Sequence, residues 1–335
     1  MLKTAFKKLL PRVLLDLLRK YRSIAVHVMK NRRAQRRRFL TTHWVNTEPY
    51  DINQRVAYSK EVYDDYFAWS GIPRSFIKGK RILEIGPGEN LAVSLRFLAD
   101  GAAFAAGVDR FRSLRSDAEQ AAVYRRLFEE LTEEQRKNAG DAVTLLENDF
   151  RLNPARCRYH ADTPLEELAK KEGAGRFDLV VSRAVLEHVL DLEAAFVCMD
   201  ALLAPGGYMV HEVDFRDHGI FSVFGLNPLT FLTVGEKLWY AMTSHTGAPN
   251  RRLRSDYERL LARFGYRPEI LTILIAGSDE KIHAREIRAG VDYGQTHLDL
   301  VKKVRRKLAP PFRGRSDEEL LTAGIFIVAR KKIDR

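Results

Sequence analysis

The residues of this chain that could do chemistry stand at the ends of apolar runs. Glu84 closes the run Arg81-Ile82-Leu83-Glu84-Ile85 and is followed at once by Gly86-Pro87-Gly88-Glu89. A carboxylate at the end of a buried strand is costly unless it meets a polar partner. A cationic or hydroxyl-rich ligand above the turn would supply one. Asp109 ends a second run, Ala103–Val108, 23 residues after Gly86. That lies near the spacing of about 20 residues at which a carboxylate grips ribose hydroxyls in a strand–turn–helix unit. Further on stand His188, His211 and the pair Asp217-His218. Histidine takes up a proton near neutral pH, so it suits a general base. A lone histidine is more often structural; His218 and His188, with Asp217, are the preferred catalytic candidates. Alternation along 208–214 sets His211 on the face opposite Glu212 and Asp214, and His211 and Asp214 are candidates for the acceptor side.

Positioning these groups requires strands and tight turns. Residues 81–85 read as a buried strand breaking into a glycine turn, and Asn90-Leu91-Ala92-Val93-Ser94-Leu95 opens a helix. Gly86 and Gly88 admit torsions closed to other residues and let the main chain approach a ligand. A dinucleotide site is disfavoured, because Leu91 stands where a third glycine is needed and Glu89 would repel a diphosphate. Phe177–Ser182, nearly continuous in Val and Leu, suits a strand covered on both faces. The expected fold is α/β, a Rossmann-like, mostly parallel seven-stranded sheet flanked by helices. In such a sheet the ligand lies where strand order reverses, so Gly86–Gly88 and Ser182–His188 should face one another.

Leu83-Glu84-Ile85-Gly86-Pro87-Gly88-Glu89 resembles the first motif of class I S-adenosylmethionine-dependent methyltransferases. The resemblance covers residues 81–214 well and extends to Asp109, to Asp162 after the strand-like Tyr159-His160, and to the turn Pro205-Gly206-Gly207. It implies S-adenosylmethionine as cofactor. Glu84, Gly86, Pro87 and Gly88 would lie against its methionine part, Asp109 on the ribose and Asp162 at the adenine amino group, with Ser182 facing the turn. Asp214-Phe215-Arg216-Asp217-His218 is similar to a segment after strand five in a bacterial small-molecule and glycan-directed branch of that family.

Charge is unevenly spread. Residues 1–40 hold thirteen Lys or Arg against one acid, Asp16, while the rest carries 43 of each sign. Leu2, Phe6, Leu9, Leu10, Val13, Leu14, Leu17, Leu18, Tyr21, Ile24 and Val28 recur at helical spacing in this stretch. Such a basic amphipathic helix can lie on an anionic membrane surface, pack on its own domain or a second subunit, or hold RNA. No apolar stretch is long enough to span a bilayer, and no uninterrupted secretory core is present. Cys157 and Cys198 stand alone, and no residues fall at metal-ligand spacing. These features suggest a cytoplasmic protein, peripheral at the inner membrane surface if the helix binds lipid.

The expected organisation is a basic helical extension at 1–40, cap helices at 41–80 and a catalytic domain at 81–335, with insertions at about 112–155 and 215–250. Residues 113–138 read as one or two exposed amphipathic helices, and Phe221–Phe231 as a lid or acceptor wall. Ser255 is the expected N-cap of a helix through Phe264, and Arg267–Gly277 and Gly324–Arg330 are two closing strands. Asn250, Arg251 and Arg254 are candidates for an anionic or sugar-like acceptor, since guanidinium binds such oxygens in two-pronged fashion. Oxygen is the preferred acceptor atom, on a small-molecule, glycan or lipid-linked acceptor. Ser182-Arg183-Ala184-Val185 lacks the Asn-Pro-Pro-Tyr type of motif of amino-methylating nucleic-acid enzymes. The alternatives are an RNA-directed methyltransferase, an aminopropyl transferase, which would need more acids than Glu187 after strand four, and a non-catalytic binder of the cofactor.

Overall fold

The structure, a computed structural model, describes residues 11–37, 51–113 and 115–333. Leu2, Phe6, Leu9 and Leu10 of the expected apolar stripe, and most of the linker at 41–54, lie outside them. The sheet is built from β1 (Arg81–Ile85), β2 (Phe104–Val108), β5 (Cys157–His160), β6 (Phe177–Arg183), β7 (Leu203–Asp214), β8 (Glu269–Ile275) and β9 (Thr322–Arg330), in the order β5-β2-β1-β6-β7-β9-β8. The seven strands match the expected fold. β9 alone runs antiparallel to its neighbours, lying between β7 and the edge strand β8. β1 pairs with β2 on one side and β6 on the other, so the reversal of strand order falls where the glycine turn leaves the sheet. β7 begins earlier than expected, at Leu203. Its Pro-Gly-Gly segment stays within the strand as an irregularity between the Phe177 and Leu179 registers.

The helices follow as α1 (Arg12–Arg37), α2 (Ile52–Ser70), α3 (Ala92–Ala99), α4 (Asp117–Glu130), α5 (Glu133–Ala139), α6 (Leu165–Glu172), α7 (Leu192–Leu202), α8 (Glu236–Thr243), α9 (Arg254–Arg263), α10 (Gln295–Val304) and α11 (Asp317–Leu321). Asp51 caps α2 by accepting from the amides of Asn53 and Gln54, and Gly71 ends it in the left-handed region. α2 docks on α3 through the buried Arg96, whose guanidinium donates to the Ser59 hydroxyl and the Val56 carbonyl. The insertion after β2 holds α4, α5 and a small hairpin, β3 (Val143–Leu145) with β4 (Phe150–Leu152). α4 is not merely a surface helix. Ala121, Val123, Tyr124 and Leu127 are fully buried, and the Tyr124 hydroxyl accepts from the Leu91 amide beside the glycine turn. The helix over 254–263 starts one residue before Ser255. The Leu253 amide donates to the Asp256 carboxylate, and the Ser255 hydroxyl serves Arg259 and Arg315 instead of capping.

α1 packs on α8 through a polar face that adjoins its apolar stripe, and Ile24 and Val28 of that stripe are half-buried against the core. Its buried residues are Ser23, His27 and Asn31, a polar stripe at helical spacing. The Ser23 hydroxyl donates to the Ile220 carbonyl. The Asn31 amide donates to the Ala241 carbonyl and the Ser244 hydroxyl and accepts from the His245 amide. Val13, Leu14, Leu17, Leu18 and Tyr21 are left exposed. Among the described residues, no helix is long and apolar enough to cross a membrane.

Close packing of α3 on the sheet depends on β2. A side chain at Gly107 would sit 2.5 Å from the Leu91 side chain and 2.9 Å from Pro87. The close approach that a third turn glycine would allow is thus provided from the neighbouring strand. Replacing Gly107 by Val should destabilise the protein by about 1–3 kcal/mol through overpacking, read as a lower urea midpoint at unchanged slope. An unchanged midpoint would refute this account of the turn.

Candidate active site

The glycine turn is fixed from several directions. Gly86 and Gly88 have φ of +70° and +72°, where a side chain is strained. A Cβ on Gly86 would lie 2.4 Å from a Val185 methyl, so the turn rests against the segment that follows β6, as the topological argument expects. Glu89 does not stand as a free anion. It pairs with Arg55 of α2 at 3.1 Å and Arg115 of the insertion at 3.0 Å, which ties both elements to the turn.

Two acids point into this end of the site. Glu84 is buried and accepts from the Ser94 hydroxyl at 2.6 Å; burial pushes its carboxyl up to about 7, against that hydrogen bond. Asp109 accepts from the Gly88 amide at 3.1 Å and is likewise pushed up to about 7, chiefly by burial. Asp162, at φ +53°, is exposed and receives the Arg112 amide at 2.9 Å and its guanidinium at 3.4 Å. Ser182 lies elsewhere. Its hydroxyl pairs with His211 Nδ1 at 2.8 Å, and both residues are fully buried on the face covered by Phe196 of α7. Burial lowers the His211 imidazole to about 3. Strand alternation turns both side chains away from the cleft, so the cofactor role expected for Ser182 and the acceptor role expected for His211 have no surface to act on.

At the ends of β6 and β7 the rings of His188 and His218 meet edge to face, 5.0 Å apart. Burial, then His218, lowers His188 to about 4; burial also lowers His218, opposed by Asp214. Both imidazoles are therefore neutral near pH 7, with ring nitrogens able to accept. Asp217 does not support a catalytic part. It is buried and its carboxylate accepts from the amides of Gly219, Phe221 and Ser222 and from the Ser222 hydroxyl, closing the loop that carries His218. Asp214 is engaged by the Arg216 guanidinium.

The polar residues at 250–254 act on the protein itself. Asn250 donates to the carbonyls of Leu186 and Val189 at 2.8 and 2.9 Å, clamping the segment that bears His188. Arg251, buried against Trp239 and Phe312, donates to the carbonyls of Phe231 and Val234; burial lowers it to about 10. Arg254 pairs with Glu258. Asn250 thus spends its amide donors on main chain, Arg251 spends one guanidinium nitrogen there, and Arg254 spends one on a neighbouring acid.

Sequence reasoning passed over Arg183, which joins Glu61 and Asp65 of α2 to Glu212 of β7. A cation directly after a buried strand was the available signal. Glu187 was noted only as an isolated acid, yet it is 1% exposed and its carboxylate oxygens have no hydrogen-bond partner among the described residues. Beside His218 opens a mainly apolar cavity of about 830 Å³, walled by Phe215, Val223, Phe224, Leu229 and Phe231 and roofed by Val26, His27 and Lys30 of α1. The expected acceptor wall at 221–231 lines it.

A seven-stranded sheet with this order, with an acid near the end of β1 and another after β2 around a glycine turn, is the arrangement expected of an S-adenosylmethionine-dependent methyltransferase. The chain belongs to the methyltransferase domain family, whose sequence profile matches residues 39–269. No curated protein matches it significantly. Similar solved structures include the CurJ carbon methyltransferase, at 15% identity over 78% of this chain and 50% of that one, TM-score 0.38. An S-adenosylmethionine-dependent methyltransferase from Mesorhizobium loti aligns at 14% identity over 82% and 100%, TM-score 0.41. Phosphoethanolamine N-methyltransferase 2 from Haemonchus contortus, in complex with S-adenosyl-L-methionine, aligns at 13% over 82% and 52%, TM-score 0.42. The chain thus spans about half the length of the first and third of these chains.

The residues present fit the cofactor. A buried and a half-buried acid lacking a cation, beside a turn open above Gly88, match a ligand that carries a net positive charge and ribose hydroxyls. Glu84 and Asp109 bind a proton more tightly in the fold than at their ordinary values of 4.5 and 3.8. The ligand-free fold therefore loses stability as pH rises from about 4 to 7. Cofactor affinity, which favours the ionised acids, should increase over that window and level off above about pH 8. Calorimetric titration across pH checks this; a flat profile, or one unaltered by Glu84→Gln, would refute it.

Proposed function

We propose that this methyltransferase modifies an oxygen on a lipid-linked or similarly apolar acceptor at an anionic membrane surface. The observation that carries the reading is the orientation of α1. A helix at a protein surface ordinarily buries its apolar stripe. Here a polar stripe is buried and Val13, Leu14, Leu17, Leu18 and Tyr21 of the apolar one face out, while the same helix roofs the cavity. Exposed Arg19, Arg22, Lys30, Arg32, Arg33 and Arg36 surround that face, each contributing up to about 1 kcal/mol of attraction to anionic lipid. Glycan and small polar acceptors fit the apolar cavity wall less well.

Bound in the cleft, S-adenosylmethionine supplies a methyl carbon already activated by sulfonium, so the enzyme's task is chiefly alignment and exclusion of water. Glu84 and Asp109 hold the cofactor in this reading, and Asp162 stands at the adenine end. The apolar wall from Phe221 to Phe231 excludes water and orients the acceptor. The neutral imidazole of His218, which lines the cavity with the His188 ring against it, is where the acceptor hydroxyl is engaged.

His218→Gln should lower turnover about 10²- to 10⁴-fold while leaving cofactor binding intact; unchanged turnover would remove His218 from the site. Anionic vesicles should float the full chain at low salt, and Leu17→Glu with Leu18→Glu should weaken flotation at least tenfold without altering cofactor affinity. Absence of flotation, or transfer of labelled methyl groups to RNA and not to the lipid fraction of a cell extract, would overturn the lipid-surface assignment.

A further inference from the structure

We propose that Glu187, His188 and His218 form a three-donor site for one divalent transition-metal ion beside the acceptor cavity, which His218 lines. The inference rests on reading this cavity as the acceptor site. One ligand atom from each residue lies within 4.8 Å of the other two, and Glu187 Oε1 stands 3.9 Å from His188 Nε2. Tetrahedral coordination at ordinary zinc distances sets donors roughly 3.4 Å apart. Small rotations of three side chains close that gap.

The independent observation is the state of Glu187. Its side chain is buried, and neither carboxylate oxygen has a hydrogen-bond partner among the described residues; the buried His188 Nδ1 has none either. The backbone amides of Glu187 and Asp214 face the carboxylate without reaching bonding geometry. Ionised, Glu187 is a buried anion with no cation beside it. Protonated, it carries a hydroxyl with nothing to donate to. A cation between Glu187 and the imidazoles resolves both conditions, because metal binding requires the ionised acid and neutral histidines.

Two imidazole nitrogens with one carboxylate suit zinc, cobalt or ferrous iron better than magnesium or calcium, which prefer all-oxygen sites. The supports for such a site are present. Asn250 fixes the backbone of 186–189, and Asp217 fixes the loop bearing His218. His218 also lines the cavity, so the open coordination position faces the acceptor. An acceptor hydroxyl there loses its proton more readily. The O–H bond breaks, its electron pair stays on oxygen, and the proton passes to water at the cavity mouth.

The test uses the full chain after chelator treatment and dialysis, titrated with Co²⁺ by visible absorption and with Zn²⁺ by calorimetry. S-adenosylmethionine binding is measured on the same samples. One equivalent of tetrahedral Co²⁺ is expected, weakened at least about tenfold by Glu187→Gln, by His188→Asn and by His218→Ala, and unchanged by His283→Ala. Cofactor binding should survive in every variant, which shows that they fold. Substoichiometric metal, or equal affinity in Glu187→Gln, would overturn the metal site. If cofactor binding persists in that case, the methyltransferase reading stands. Metal bound without any cofactor binding would uphold the site and sink that reading.

Discussion

Glu84, buried, and Asp109, half-buried, lie at the carboxyl ends of adjacent parallel strands with no cation against them, and the surrounding architecture maintains that condition. An anion in a low-dielectric setting is tolerated only where fixed dipoles meet it. Ser94 reaches back from α3 to one acid, and the Gly88 amide reaches across the turn to the other. Both contacts need α3 tight on the sheet. That in turn requires the absence of a side chain at Gly107 and the seating of Leu91 and Pro87 against it. In the proposed reading, the positive charge of a bound cofactor completes this arrangement.

Much of this was legible in the chain. β1, β2 and β6 announce themselves because strands covered on both faces must be apolar almost throughout, and the acids at the ends of β1 and β2 stand out against that background. The sheet's reversal point follows from chain order alone, and with it the meeting of Gly86 and Val185. Side chains that contact distant parts of the chain were less readable. His211 and Ser182 look like cleft residues by position, but strand alternation and Phe196 take them inside. Asp217, Asn250 and Arg251 have the chemistry of a binding site and spend it on backbone groups of irregular loops, which lack a ladder of their own and must borrow partners.

The orientation of α1 shows the limit of periodicity most sharply. A repeating apolar stripe states that a face must be covered and leaves open by what. Ser23, His27 and Asn31 form a second, shorter periodicity on an adjoining face of the helix, and specific hydrogen bonds to 220–245 decide the docking. Polar pairing of this kind fixes one orientation where apolar contact alone would accept several.

The double salt bridge at Glu89 carries a further consequence. One carboxylate holds Arg55 and Arg115, and these belong to segments separated by the whole first crossover of the sheet. Lifting either segment off the turn breaks one arm of that bridge while the other still holds, so the two leave Glu89 one at a time.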